Sequence, residues 1–179
     1  MELTDMLTPE DCFDFEKFLF DRFHMNCTVY DAAGVSVTGK PIWCNNLCPR
    51  IKSNPDSLAA ICAPGNQNFM AQARETKAPV IGECDAGLLK ISVPIFVDGA
   101  FLGTAGGCGR LPEGGEIETF IIEKTTGLNE AEIAELCNGL HRMTRGQAEE
   151  MAEVIEQRLA KFVDDYRKSI RAMKAFLGS

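Results

Sequence analysis

The chain has only two histidines in 179 residues, and both stand far from its cysteine-rich centre. His24 and His141 fall in helical patterns, so a Cys–His nucleophile pair depends wholly on the fold bringing distant segments together. No stretch approaches the roughly 18 apolar residues of a membrane-spanning helix, and the N-terminal "MELTDMLTPEDC" is acidic, without the apolar core of a secretory leader. Lysine and arginine form no stripe, and a net charge of −8 with a pI of 4.8 argues against nucleic acid and anionic membranes as partners. The chain lacks a Gly-x-x-x-x-Gly-Lys-Ser/Thr loop, and no Gly-x-Gly-x-x-Gly joins a strand to a helix, so nucleotide phosphates have no cradle. Together these absences point to a cytoplasmic protein that is not an enzyme.

Cysteine, in contrast, is abundant. An apolar fraction of 45% suffices for a core without disulfide staples, and eight cysteines in a reducing compartment point to metal or redox chemistry. Cys12, Cys27 and Cys137 lie inside amphipathic or strand-like segments with no cysteine beside them, and read as small buried hydrophobes.

The pattern of elements is α+β. Thr8 caps and Pro9 opens an amphipathic helix over 9–24, with Phe15, Phe18, Leu19 and Phe23 at helical spacing. "CTVYDAAGVSVTG" predicts two short strands about a turn at Gly34, and 41–53 a loop or short helix. A helical pattern from Pro55 to Lys77 is interrupted by "APG" at 63–65. "PVIGEC", "GLLKISVPIFV" and "AFLGTAGGCGRL" are strands, the last two joined by Asp98-Gly99, the signature of a type I′ hairpin. Helices over about 116–125 and 129–141 follow, punctuated by Gly127 and Asn129. Residues 147–177 contain no Gly or Pro and carry a seam of Ala148, Ala152, Ile155, Leu159, Phe162, Tyr166, Ile170, Met173 and Leu177. Such a helix would span about 45 Å, which suits a dimerisation or signalling helix better than one folded back on its own core. Its acidic pairs Glu149-Glu150 and Asp164-Asp165 read as solvated surface.

Five cysteines crowd the centre: Cys44, Cys48, Cys62, Cys84 and Cys108, separated by 3, 13, 21 and 23 residues. The spacing is not that of a zinc ribbon. Cys48 precedes Pro49, Cys62 precedes Pro64-Gly65, Cys84 precedes Asp85-Ala86-Gly87, and Cys108 stands among Gly106, Gly107 and Gly109. Irregular backbone stripped of side chains is what a bulky ligand approached by main chain requires. Four thiolates from separate elements can hold zinc or a [4Fe–4S] cluster; the alternative is that these cysteines pack in the core.

"NNLCPRI", "AAIC" and "ECDAGLLKISVPIFVDGAFLGTAGGCG" resemble, in order and spacing, the PocR-type sensory domain over about residues 9–140. The resemblance implies a PAS/GAF-like small antiparallel sheet flanked by helices, of the kind that senses small organic molecules in bacterial and archaeal signalling proteins. Cys48, Cys62 and Cys84 match the family's recurrent cysteines, and Gly87, Pro94, Ile95 and Gly103 its strand framework. Asp85 stands where many members have histidine, and Cys108 where many have glutamine, which brings the thiols to four and favours a metal or cluster.

The expectation is therefore a sensory domain over 1–143 with a C-terminal dimerisation and signalling helix over 144–179. Cys48, Cys62, Cys84 and Cys108 would hold an iron–sulfur cluster, with zinc or no metal as alternatives. Trp43, Cys44, Asn46, Asp85 and Lys90 would bind ligand, although Trp43 could equally anchor the core and Lys90 face solvent. The signal would be a small molecule or a redox change, and the output would pass through a homodimer to a downstream signalling protein. Two alternatives stay open: a metal-free module for a small organic or corrinoid-like ligand, and a thiol-based redox protein using Cys44 and Cys48.

Overall fold

The computed structural model describes residues 1–177; residues 178 and 179 and the side chain of Leu177, the last position of the expected seam, lie outside the described residues. The first helix, α1 (Pro9–Phe23), starts as its sequence dictates. Thr8 Oγ1 accepts from the Asp11 amide at 3.1 Å, and the Asp11 carboxylate accepts from the Thr8 amide at 3.0 Å. Strand β1 (Asn26–Asp31) follows, but its expected partner shrinks to one bridge between Tyr30 and Ser36. The Asp31 carboxylate accepts from the amides of Ala33 and Val35 at 2.9 Å each, making a side-chain-closed turn instead of a second strand.

Helix α2 (Leu47–Ser53) leads into α3 (Pro55–Ser57), a π-helical segment (Leu58–Cys62) and α4 (Ala63–Thr76). The expected break at 63–65 is thus not a break: the helix runs through Pro64 and widens just before it. Proline has no N–H to offer the carbonyl four residues back and its ring crowds that carbonyl, so one extra residue per turn relieves the clash. Cys62 ends the widened turn.

The sheet comprises β1, β2 (Val80–Glu83), β3 (Leu89–Val97) and β4 (Ala100–Cys108), antiparallel throughout in the order β1-β4-β3-β2. Asp98 and Gly99 both have positive φ, 50° and 84°, as a type I′ turn requires. A two-residue parallel pair, β5 (Leu111–Pro112) and β6 (Arg142–Met143), brackets α5 (Thr119–Thr126) and α6 (Glu130–Leu136). Gly127 ends α5 in the left-handed region at φ 72°, and Asn129 caps α6 through the Glu132 amide at 3.0 Å. The last helix, α7, runs from Arg145 to Leu177.

Alternation along the strands sorts the sheet into two unlike faces. Leu89, Ile91, Val93, Ile95 and Val97 of β3, with Cys27 and Val29 of β1 and Ala105 of β4, point into an apolar core. Phe15, Leu19 and Phe23 of α1 and Ala148, Met151, Ala152, Ile155 and Leu159 of α7 close that core. Burying a Leu- or Ile-sized side chain contributes about 1.5–3 kcal/mol, so this face supplies much of the fold's stability. The first half of α7 is therefore part of the domain, and Phe162 still packs edge-on against Phe15 at 5.4 Å. Beyond it Tyr166 and Ile170 are half-buried and Met173 is 58% exposed. Glu149 and Glu150 are on the surface as expected, paired with Arg145 and Arg22. A second core, under the other end of the sheet, gathers Leu47, Ile51, Ile61, Leu88, Ile122 and Ile133.

Candidate functional site

The sheet face opposite the apolar core presents Asn26, Thr28 and Tyr30 from β1, Lys90 and Ser92 from β3, and Thr104, Gly106 and Cys108 from β4. Register puts Cys108 opposite both Asn26 and Lys90. Where this face meets the second core, Cys48, Cys62, Cys84 and Cys108 line a single cavity, together with Lys52, Asn66, Lys90, Gly65 and the apolar side chains of Ile51, Ile61 and Leu88. Each thiol arrives on a different element, so the cavity is a product of the whole fold.

Local chemistry fixes each one. The Asn45 side-chain carbonyl accepts from the Cys48 amide at 2.7 Å, holding the first turn of α2. Its Nδ2 donates to Gly109 O at 2.7 Å and lies 3.3 Å from Cys48 Sγ and 3.5 Å from Cys44 Sγ. Cys84 opens a tight turn: its amide donates to Leu88 O and its carbonyl accepts from the Gly87 amide, both at 2.8 Å. Gly87 has φ 79°, and a Cβ there would lie 2.3 Å from Glu116 O, so the turn admits only glycine. Gly109 (φ 104°) is as constrained: a Cβ would meet Asn26 Nδ2 at 2.3 Å and Asn45 Nδ2 at 2.8 Å.

The electrostatics are unusual in what they omit. Among the described residues no carboxylate lines the cavity, yet two lysines do. Lys90 is 9% exposed; its ammonium donates to Asn66 Oδ1 and sits over the Phe69 ring at 5.8 Å, and the Asn66 amide in turn donates to Tyr30 Oη at 3.3 Å. Burial pulls the Lys52 ammonium down, but Tyr30 and the thiols of Cys108, Cys62 and Cys48 push it further up, and it sits above the Trp43 ring at 5.4 Å. Burial pushes the Cys62 thiol up to about 11 against the pull of Lys52. Burial first, and Cys108 next, also raise Cys48 and Cys84. Left to themselves the thiols of Cys48, Cys62 and Cys84 stay protonated at neutral pH.

Residues 14–165 match the family model described as the sensory domain found in PocR. The chain belongs to this family. Comparison with curated proteins and with solved structures gives no match. A PocR sensory domain is a ligand-sensing module, and its α+β architecture is the one described above. In this PocR domain, Lys90 and the four cysteines named from the sequence share one cavity. Trp43, Cys44, Asn46 and Asp85 are placed elsewhere. Trp43 is half-buried against the second core, while Asn46 and Asp85 are exposed at the surface. The Cys44 amide donates to Asn26 Oδ1 at 2.7 Å and its thiol to Gly109 O at 3.5 Å, just behind the cavity wall. Cys12 and Cys27 are buried in the main core, whereas Cys137 is half-buried beside the second.

Asn45, Lys52 and Asn66 were not legible as site residues. Asn45 and Asn46 are identical neighbours, and only the turn geometry decides which faces inward. Lys52 and Asn66 were hidden in helical surface patterns. Among the described residues, no three His, Cys, Asp or Glu donors converge tightly enough to hold one metal ion. No helix among them is long and apolar enough to cross a membrane.

Proposed function

We propose that this PocR domain is a cytoplasmic sensor whose four-cysteine cavity holds an iron–sulfur cluster of the [4Fe–4S] type. The observation that carries this reading is the combination of four thiols and two acid-free lysines around one cavity. Thiols spread around a space, rather than converged on a point, suit a polynuclear group better than a single zinc ion, whose four ligands must each approach to about 2.3 Å. A cluster with four thiolates carries roughly two negative charges, which Lys52 and Lys90 would balance. Bound there, the cluster would supply a redox-active or ligand-reactive centre. Cys48, Cys62, Cys84 and Cys108 would give up their protons to bind it, so loading is favoured by rising pH. Asn45 would donate to the Cys48 sulfur and hold it in place. The apolar side chains of Ile51, Ile61 and Leu88 would keep bulk water out.

The metal-free alternative has one specific support: the cavity is narrow, about 30 Å³ on the measure by which one water needs roughly 10–15 Å³. That is room for only about two or three water-sized groups: it argues against a corrinoid-sized ligand, and a [4Fe–4S] core would enter only by spreading the four thiols apart. The thiol-redox alternative rests on the shared contact of Cys44 and Cys48 with Asn45, and mass spectrometry after oxidation tests it by seeking a Cys44–Cys48 bridge. Output would run through α7, whose distal half would pair with a second copy and pass the signal to a downstream protein.

Purification without oxygen tests the main reading. The expected result is brown protein with about four irons and matching sulfide per chain, bleached in Cys84→Ser with unchanged far-ultraviolet circular dichroism. Colourless protein that takes up no iron or sulfide on reconstitution would overturn it. Sedimentation should show a dimer that Ile170→Asp converts to monomer.

A further inference from the structure

Next to the cysteine cavity, and sharing Asn66, Lys90 and Cys108 with it, lies a second, polar recess on the same sheet face. It is roofed by Asn66 of α4 and floored by Thr28, Tyr30, Ser92 and Thr104, with Gly106 leaving the floor bare of a side chain. A Cβ at Gly106 would lie 1.9 Å from Ile91 O, so the bare patch is enforced by the packing of β3 against β4. Ser92 and Thr104 are 6% and 3% exposed, and among the described residues the hydroxyls of Thr28, Ser92 and Thr104 have no protein partner. Among the described residues only Arg110 Nε is a fully buried polar side-chain atom without a partner, so these hydroxyls reach the open space of the recess, where a ligand or water can meet them. Asn66 spends its amide on Tyr30 Oη, which leaves the Tyr30 proton free to donate, and it occupies one of the three donor positions of the Lys90 ammonium. Among the described residues no carboxylate lines the recess. The recess therefore collects one buried cation and several hydroxyl donors around a small space of about 20 Å³.

We infer that this recess binds the carboxylate end of a small aliphatic organic acid. Lys90 would take one carboxylate oxygen in a charge-assisted bond, the Tyr30, Ser92 and Thr104 hydroxyls would donate to the other oxygen or to an α-hydroxyl, and the short alkyl part would extend toward the mouth. A neutral diol or triol leaves the buried ammonium without a counter-charge, so it binds more weakly. The inference names a ligand class for the sensory role and does not require a cluster. The two sites nevertheless share Lys90. An anion in the recess and a negatively charged group in the cysteine cavity compete for one cation, so each weakens the other's binding by the same factor.

Calorimetric titration of the full chain with lactate, and with glycerol as an uncharged molecule of similar size, tests this. Lactate should bind, glycerol at least about tenfold more weakly, and Lys90→Met should weaken lactate by about tenfold to a hundredfold, the worth of a charge-assisted bond. Thr104→Val, which keeps shape and removes one hydroxyl, should cost about threefold to tenfold and serves if Lys90→Met does not fold. Equal binding of lactate and glycerol, no binding of lactate, or lactate binding unchanged in the variants would overturn the inference. Iron is measured on the same samples: protein that takes up no iron or sulfide on reconstitution yet binds lactate sinks the cluster reading alone, and protein that loads iron but whose iron-free form ignores lactate sinks this one alone.

Discussion

The two faces of one sheet teach different lessons. Ile91 and Ser92 are neighbours on β3 and both nearly inaccessible, at 2% and 6% exposure. Ile91 points into the core closed by α1 and α7, where burial of apolar area stabilises the fold. Ser92 points into a recess with Lys90 and Thr104, where burial is a cost that the rest of the molecule must offset. A sheet that keeps hydroxyls, a lysine and a cysteine inside while the same strands are apolar on the other side is built for binding on one face and for stability on the other.

The contrast can be broken most sharply by truncating one residue on each face. Ile91→Ala should cost about 2–5 kcal/mol of unfolding free energy, whereas Ser92→Ala should change it by less than about 0.5 kcal/mol. Urea denaturation of the pair checks this, and equal costs would mean that the recess is structural packing. A comparable effect should appear in thiol reactivity. With its thiol pushed up by burial to about 11, metal-free Cys62 should alkylate about a hundredfold more slowly at pH 8 than an ordinary thiol. The rate should rise about tenfold per pH unit until the thiol titrates; a rate that is flat above pH 9 would contradict it.

Glu16 gives a smaller test on the apolar side. It is 1% exposed, accepts from the Val29 amide at 2.7 Å and from the Thr38 hydroxyl at 2.9 Å, and its carboxyl is raised by burial, against the pull of those two bonds. A raised carboxyl binds its proton more tightly folded than unfolded. The stabilising contribution is therefore present at low pH and lost as pH climbs through the folded value. Glu16→Gln, which can keep both bonds, should flatten that pH dependence. Glu16→Leu should cost about 1–3 kcal/mol by stranding the Val29 amide. Another small effect is expected at the tip of the β3–β4 hairpin, where Arg167 of α7 meets Asp98 at 2.6 Å with both side chains largely exposed. Asp98→Asn suits the positive φ and removes only the charge, so thermal melting should move by less than the equivalent of about 1 kcal/mol. A larger loss would mean that this contact anchors the distal part of α7.

Local rules made much of this legible. Thr8 and Asp11, Asp98-Gly99, and Gly127 with Asn129 each solve a problem within a few residues, so caps and turns could be read directly. The alternation of β3 announced one apolar face, and the glycines and prolines around Cys48, Cys62, Cys84 and Cys108 marked these as the cysteines that share a surface. Where the reading went astray, a distant or competing contact decided. "APG" widens a helix that continues, because packing on both sides outweighs the lost proline hydrogen bond. The strand expected after Gly34 gives way to the Asp31-closed turn. Asp85 and Asn46 face outward while the residues on either side of them, Cys84 and Ala86, and Asn45 and Leu47, turn inward.

The sequence by itself determined most of the elements, the hairpin, the family and which thiols belong together, because these follow from short-range sterics, hydrogen bonding and periodicity. Only the tertiary structure decided that Lys52 and Lys90 stand beside those thiols without a carboxylate, that Asn45 rather than Asn46 turns inward, and that a polar recess adjoins the cavity. Those facts depend on strand register and on helices meeting across large sequence separations, where charge and burial are set by partners that no local pattern contains.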